Sequence, residues 1–215
     1  MARPARALPD QLLAQARERI LSGRLPADTP IRQDALALEL GVSKIPLREA
    51  LARLESEGLV VSHPNRGFIV RPLSRADAED VFDLRLRIEP NACVLGALEA
   101  GPADQAAARA ALADLDAALR QGLADVGRKN REFHLALVRP SGRGVTVETV
   151  DRLLALSERY VRVHLGEQRR PDRASHEHES LLQAWLDRRT ETVRREVRSH
   201  IRATLVDLRS QLPDA

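Results

Sequence analysis

The feature that most constrains the fold is a pair of short segments with apolar residues at helical spacing, which meet at Gly41. The first segment spans about residues 32–40, and the glycine that follows it is a common helix end. The second begins after Ser43, a favoured N-cap residue, and reaches about Glu57 before Gly58. Two short helices joined by so tight a turn predict a helix-turn-helix.

The residues around this pair complete a small domain. Residues 9–21 form another segment with helical spacing, followed by Gly23, and predict a first helix. Residues 59–62 and 68–71 favour two β-strands on either side of a turn-rich tip at 63–67. Three helices and a hairpin predict a winged helix-turn-helix over residues 1–72.

The rest of the chain, residues 73–215, has a helical pattern throughout. Ser74 and Asp77 have the spacing of a capping box at the start of its first helix. Breaks that contain glycine, proline or polar residues separate predicted helices at 74–99, 103–121, 125–138, 145–167, 174–187 and 190–211. The break between the fourth and fifth of these helices spans 168–173. The predicted fold class is mainly α: an N-terminal winged helix-turn-helix with a small β-hairpin wing, followed by an all-helical bundle of about six helices.

Composition narrows the class of protein. Of 215 residues, 43% are hydrophobic and only 2% aromatic, which favours helices over a β-sandwich. Cys93 is the single cysteine, so neither an intrachain disulfide nor a CxxC zinc site can form, and a cytoplasmic location is expected. Residues 1–25 lack the apolar core of a signal peptide, and the absence of an apolar run of about 18 residues argues against a bilayer anchor.

Charge is concentrated at one end of the chain. Residues 1–72 carry 11 basic and 8 acidic side chains, a net charge of +3, whereas residues 73–215 carry 23 of each. In a recognition helix the first turn meets the major groove while the opposite face packs on the domain, so we expect Ser43, Lys44 and Arg48 to face DNA. The basic tip at 65–67 is expected to follow the DNA backbone or to enter the minor groove.

These motifs resemble the GntR family of bacterial transcription regulators. In chain order the matching residues are Leu25-Pro26, Leu36-Ala37, Gly41-Val42-Ser43, Pro46-Leu47-Arg48-Glu49-Ala50-Leu51, Leu54-Glu55, Glu57-Gly58-Leu59-Val60 and Pro64-Asn65-Arg66-Gly67. The resemblance implies operator contacts from Ser43, Lys44, Arg48, His63, Arg66 and Gly67. In three departures from the family, Lys44 replaces an arginine, Ile45 replaces a small polar residue, and Asp34 stands where some members carry a DNA-contacting arginine. Residue 34 is therefore not a predicted contact.

Five of the six histidines lie in the helical region: His134, His164, His176, His178 and His200. Asn130 and His134 are four residues apart and so share one helix face. An amide oxygen and an imidazole there could take two positions around a divalent ion. His178 and His200 would have to come from two other helices.

Residues 74–212 resemble the FCD ligand-binding domain of the FadR subfamily. The matching residues are Leu84-Arg85 with Glu89, Phe133-His134, Glu177-His178-Glu179 with Leu181-Leu182-Gln183-Ala184, and Ser199-His200-Ile201. The metal-binding members imply a ligand set of Asn130, His134, His178 and His200. Asparagine brings no charge where the family has an acid, so the affinity should fall or the preferred ion should change. Zinc is the first expectation, with nickel or manganese as alternatives.

The same resemblance implies that Arg85 meets the carboxylate of an effector, a task that suits a guanidinium. The alternative role for Arg85 is an ion pair with Asp83, Glu89 or a facing helix. His164 and His176 match no ligand position.

Taken together, the sequence predicts a ligand-responsive transcription regulator, expected to be a repressor that binds a pseudo-palindromic operator as a homodimer. Its effector would be a small organic acid bound beside a divalent metal. The sequence leaves two alternatives open. One is a metal-free sensor of the same fold, and the other is a hydrolase in which the three histidines hold a catalytic zinc.

Overall fold

The computed structural model describes residues 8–121, 125–165 and 170–212. The chain divides into two compact units, Met1–Leu73 and Ser74–Ala215. Each unit is described by itself.

The first unit is a winged helix-turn-helix. Its elements are α1 (Leu8–Leu21), α2 (Gln33–Leu40), α3 (Lys44–Ser56), β1 (Val60–His63) and β2 (Gly67–Val70). The two strands pair antiparallel, from Val60 opposite Val70 to His63 opposite Gly67. Apolar residues of all three helices and both strands form one core, which includes Leu12, Ile20, Leu47, Leu51 and Leu54.

The turn between α2 and α3 depends on glycine. Gly41 has a φ of 65°, in the left-handed region, and its N–H bonds back to the last turn of α2. Ser43 occupies the N-cap position of α3 with extended backbone, as the sequence predicts. Within the described residues, however, its hydroxyl caps no N–H group of the helix.

A third extended segment, which the sequence pattern does not predict, lies beside the wing. Pro30 forms an isolated antiparallel bridge with Ile69, and the N–H of Ile31 donates to the carbonyl of Phe68 at 2.8 Å. The N–H of Val70 donates to Thr29 at 3.0 Å. A proline in so short a segment argues against a strand, but proline is tolerated at a sheet edge, where its missing N–H faces away from the ladder.

The second unit is an all-helical bundle. It contains α4 (Arg75–Glu99), α5 (Pro102–Gln121), α6 (Val126–Val138), a short 3-10 turn (Arg139–Ser141), α7 (Gly144–Leu165), α8 (Arg170–Leu186) and α9 (Thr190–Gln211). The hydroxyl of Ser74 accepts from the N–H of Asp77 at 3.1 Å, which caps α4 as predicted. The predicted break over 168–173 is wrong for residues 170–173, which form the first turn of α8. This turn can include Pro171 because the N–H groups of a first turn have no intrahelical acceptor. The other residues of that break, 168 and 169, lie outside the described residues, as do 166 and 167 at the predicted end of α7.

Helix α4 packs against α6, α7, α8 and α9, and α5 packs on α6 and α8. Close packing against α6 requires a glycine, because a Cβ on Gly96 would overlap the backbone carbonyl of Leu137. The core of this unit includes Phe82, Phe133 and Trp185, and the indole N–H of Trp185 donates to the Leu137 carbonyl at 3.0 Å.

Candidate metal and DNA-binding sites

Three histidines from three helices meet in the centre of the bundle. His134 comes from α6, His178 from α8 and His200 from α9, and each offers a ring nitrogen within 4.8 Å of the others. The Nε2 atoms of His178 and His200 are 3.2 Å apart. The structure therefore brings together the three histidines that the sequence analysis singled out as ligands.

The three rings are largely removed from solvent. His134 and His178 are buried, and the side chain of His200 is 11% exposed. Burial lowers the pKa of His134, and it lowers the pKa of His178 well below the ordinary value, with further lowering from the neighbouring His200 and His134. Both rings are therefore neutral near pH 7, which is the protonation state that a metal ligand needs.

Two carboxylates stand behind these rings. Nδ1 of His200 lies 2.7 Å from Oε2 of Glu177, and Nδ1 of His134 lies 2.7 Å from Oε1 of Glu89. The contact between His200 and Glu177 is a hydrogen bond. The contact between His134 and Glu89 is equally short but does not have the geometry of a hydrogen bond, and Nδ1 of His134 has no other acceptor among the described residues. A carboxylate at Nδ1 favours a proton there and leaves the Nε2 lone pair for a ligand.

Nε2 of His134 is also buried without a hydrogen-bond partner in the described part of the chain. A buried polar atom left in this way costs free energy unless something else pairs with it. The ring of His134 also packs against the rings of His178 and His200. An orphaned nitrogen among imidazoles fits a bound cation or a donor group of a ligand.

Asn130 is buried on α6 and lines the same cavity as His178 and His200. The free volume of this cavity is about 10 Å³, which is about the space of one water molecule or ion. Arg85, His164 and Thr204 also line it. An organic acid would therefore need the cavity to open.

Arg85, the predicted effector residue, is buried and engaged inside the protein. Its Nε and Nη2 donate to the carboxylate of Glu89 at 2.8 and 3.3 Å, and its Nη1 donates to the hydroxyl of Ser157 at 3.3 Å. This is the ion pair that the sequence analysis gave as the alternative role for Arg85. Burial acts to raise the pKa of Glu89, but Arg85 and His134 outweigh it and hold this pKa well below its usual range.

The part played by Glu89 was only partly visible in sequence. Its spacing of four from Arg85 signals a pair on one helix face, but its contact with His134, 45 residues away, does not follow from any local pattern. Glu177 is adjacent to His178 in the chain, yet it contacts His200 instead.

The two remaining histidines of this unit lie apart from the cluster of ligand nitrogens. His164 reaches the cavity wall, with Nδ1 3.5 Å from Asp207. His176 is exposed on α8.

The predicted DNA contacts lie on the surface of the first unit. Ser43, Lys44 and Arg48 are exposed at the start of α3, and His63 and Arg66 are exposed on the wing. Lys44 forms an ion pair with Asp34 of α2, whereas Arg48 forms none with the residues that the structure describes. Gly67 is half-buried with a φ of 70°, and a Cβ there would come within 2.9 Å of Nε2 of Gln33.

Comparison with known proteins identifies both units. Residues 8–70 match the family described as bacterial regulatory proteins, gntR family, and residues 80–203 match the FCD domain. The Nta operon transcriptional regulator of Aminobacter aminovorans is 32% identical over 171 residues, which cover 80% of this chain and 80% of that protein. The chain belongs to the GntR family.

Two further proteins are similar to this GntR regulator in sequence or in fold. The transcriptional repressor GlaR of Escherichia coli strain K12 is 30% identical over 146 residues, which cover 66% of each chain. The solved structure of Escherichia coli McbR/YncC has the same fold, with a TM-score of 0.83 and 23% identity over 96% of this chain and 99% of that one.

Membership of the GntR family settles the class of activity. The protein is a DNA-binding transcription regulator and not an enzyme, so the hydrolase alternative is set aside. In the described ranges, no helix is both long and apolar enough to cross a bilayer.

Proposed function

We propose that this GntR regulator is a repressor that senses a small organic acid through a divalent metal ion held in the helical unit. The observation that supports this proposal is the convergence of ring nitrogens of His134, His178 and His200. Two of these residues, His178 and His200, line a cavity of about 10 Å³. Asn130 would complete the ligand set.

The residues fit a metal ion in three respects. The Nε2 atoms of His178 and His200 are 3.2 Å apart, close to the separation of about 3.3 Å between two nitrogens of a tetrahedral zinc site. Burial lowers the pKa of His134 and of His178, so these two rings are neutral near pH 7. The carboxylates of Glu89 and Glu177 lie against Nδ1 of His134 and of His200. Three imidazoles and an amide favour zinc, with nickel or manganese as alternatives.

A bound ion would supply positive charge that attracts the carboxylate of an effector. Arg85 is less suited to that task than its sequence position suggests, because Glu89 already neutralises its charge. We propose that Arg85 instead holds Glu89 against His134 and that Thr204 and His164 contribute to the wall around the effector. By linkage, an effector that weakens operator binding must itself bind more weakly to the operator complex.

One observation favours a second candidate, a metal-free sensor. The 3.2 Å separation between the Nε2 atoms of His178 and His200 also suits a hydrogen bond between two neutral imidazoles, one donating and one accepting. In that case Asn130 and the histidines would bind the effector directly.

In the first unit, we propose that six residues of α3, its N-cap and the wing contact the operator: Ser43, Lys44, Arg48, His63, Arg66 and Gly67. A single winged domain spans few base pairs, and two copies on symmetric half-sites would multiply affinity and specificity. We therefore propose a homodimer acting in the cytoplasm, where the chromosome is. Repression is proposed because GlaR, a relative, is named a repressor.

Elemental analysis by mass spectrometry tests the metal site. Untagged protein is equilibrated with zinc, nickel or manganese in separate samples and then dialysed. It is compared with His178→Ala and with His176→Ala, a control at an exposed histidine on the same helix. We expect about one ion per chain in the wild type and the control, and a loss in His178→Ala. Wild-type protein without stoichiometric zinc, nickel or manganese would contradict the metal site and leave the metal-free sensor.

A further inference from the structure

Ile45 places a large apolar side chain on the outer face of the recognition helix. It is 72% exposed, although Leu47, Ala50, Leu51 and Leu54 on the same helix are buried. At about 100° per residue, Ile45 lies roughly 160° around the helix from Leu47, nearly opposite the core.

Arg48 and Ala52 share this outer face with Ile45. Both are exposed, and their spacings of three and seven residues from Ile45 place them on one stripe. Lys44 projects nearer to α2, where Asp34 pairs with it. Ile45 is therefore closer to the middle of the outer face than the neighbouring lysine is.

The backbone around Ile45 is held in place. Pro46 stands third in α3, where its missing N–H leaves no intrahelical bond unmade and its ring fixes φ. Leu47 behind it is fully buried and anchors the turn to the core. The isoleucine side chain, which is stiff at χ1, thus points outward from a rigid turn.

Single exposed apolar residues are common on protein surfaces and need no explanation by themselves. Here the exposed residue lies in the first turn of the helix that a GntR regulator directs at the major groove. Among the base edges in that groove, the 5-methyl group of thymine is the apolar one.

We propose that Ile45 packs on the 5-methyl group of a thymine and so selects thymine at one position of the recognised sequence, in each half-site if two copies bind. This inference rests on the proposed role of α3 in operator binding. Burying one methyl group gives an expected preference of about fourfold for thymine over uracil at that position.

The test begins with selection of binding sites from a random duplex library by the full-length protein. Copies of the selected duplex, in which deoxyuridine replaces each thymine in turn, then serve as probes in fluorescence anisotropy titrations. Deoxyuridine keeps every hydrogen-bonding group and removes only the methyl group. Ile45→Ala is the test variant, and Leu38→Ala, at another exposed apolar residue of the same unit, is the control.

We expect the wild type and Leu38→Ala to lose about fourfold in affinity at one thymine per half-site, and Ile45→Ala to bind the thymine and uracil duplexes within about twofold of each other. Insensitivity of the wild type to every deoxyuridine, or thymine preference retained in Ile45→Ala, would overturn the proposal for Ile45. Arg48→Ala distinguishes an error about Ile45 from an error about the proposed binding of α3 to the operator. If Arg48→Ala still loses affinity, only the role of Ile45 falls, whereas a library without any enriched sequence would overturn both.

Discussion

Glu89→Gln is expected to lower the free energy of unfolding of the helical unit by about 3–5 kcal/mol, the usual cost of removing one partner from a buried ion pair. Glu89 accepts hydrogen bonds from Nε and Nη2 of Arg85 at 2.8 and 3.3 Å, and the side chains of both residues are at most 3% exposed. Glutamine has nearly the same shape but no charge. The guanidinium would therefore keep its charge in the core without a carboxylate to balance it.

The chain supplies a matched control for this substitution. Asp83 and Arg87 form a pair on the same helix, with the same spacing of four residues and the same 2.8 Å contact, but their side chains are 55% and 71% exposed. Solvent screens this pair, so Asp83→Asn should cost less than about 1 kcal/mol. The difference between the two substitutions isolates the effect of burial.

Urea titration followed by tryptophan fluorescence provides the measurement. Trp185 is the single tryptophan and is buried in the helical unit, so its emission reports on that unit alone. Arg85→Met in the Glu89→Gln background should recover much of the loss, because it removes the unbalanced charge. A cost for Glu89→Gln no larger than that for Asp83→Asn would refute the reasoning. If zinc binds as proposed, Glu89→Gln should also weaken it by about 10- to 100-fold through His134.

The remaining predictions concern DNA binding, packing and pH. Arg48→Ala should weaken operator binding by about 1–3 kcal/mol and relax base preference at one position of a half-site, and an unchanged titration would remove Arg48 from base recognition. Asp34→Asn releases Lys44 from its ion pair and should steepen the salt dependence of DNA binding by about one unit of log–log slope, whereas an unaltered slope would mean that Lys44 contacts no phosphate. Gly96→Ala should destabilise the helical unit by at least about 1–3 kcal/mol in the urea assay because the helices must separate, and a gain in stability would contradict their close approach. Burial, together with the adjacent histidines, holds the pKa of His178 well below its ordinary value of 6.5. Below about pH 6.5, therefore, the unfolded chain binds a proton at His178 that the folded chain does not bind. The metal-free protein should therefore lose stability between pH 7 and pH 5, and this loss should be smaller in His178→Gln.

Local sequence rules were sufficient for most of the secondary structure. Glycine at 41 ends α2, Ser74 caps α4, and apolar spacing finds the helices of both units, because these signals act within a turn or two of helix. Local rules do not predict the extended segment at Pro30, because its pairing depends on a distant part of the chain. Its partner β2 lies nearly 40 residues away, and the segment itself carries no strand pattern.

The family motifs named the candidate ligands, but spacing alone could not bring them together. Asn130 and His134 share a helix face by local geometry, whereas His178 and His200 meet them only through the packing of α6, α8 and α9. The same packing gives Arg85 a buried carboxylate partner. Sequence left an effector contact and an ion pair both open, and the closed cavity and the buried carboxylate of Glu89 favour the ion pair.

The sequence by itself determined the helices, the helix-turn-helix, the wing and the identity of the residues that could bind DNA or metal. The tertiary structure decided which of those residues meet, which are buried, and which charges are already balanced, as for Lys44 with Asp34. The physical reason is range. Helix periodicity, capping and turn chemistry depend on neighbours within about four residues, whereas burial and electrostatic pairing depend on groups that only the packed core brings into contact.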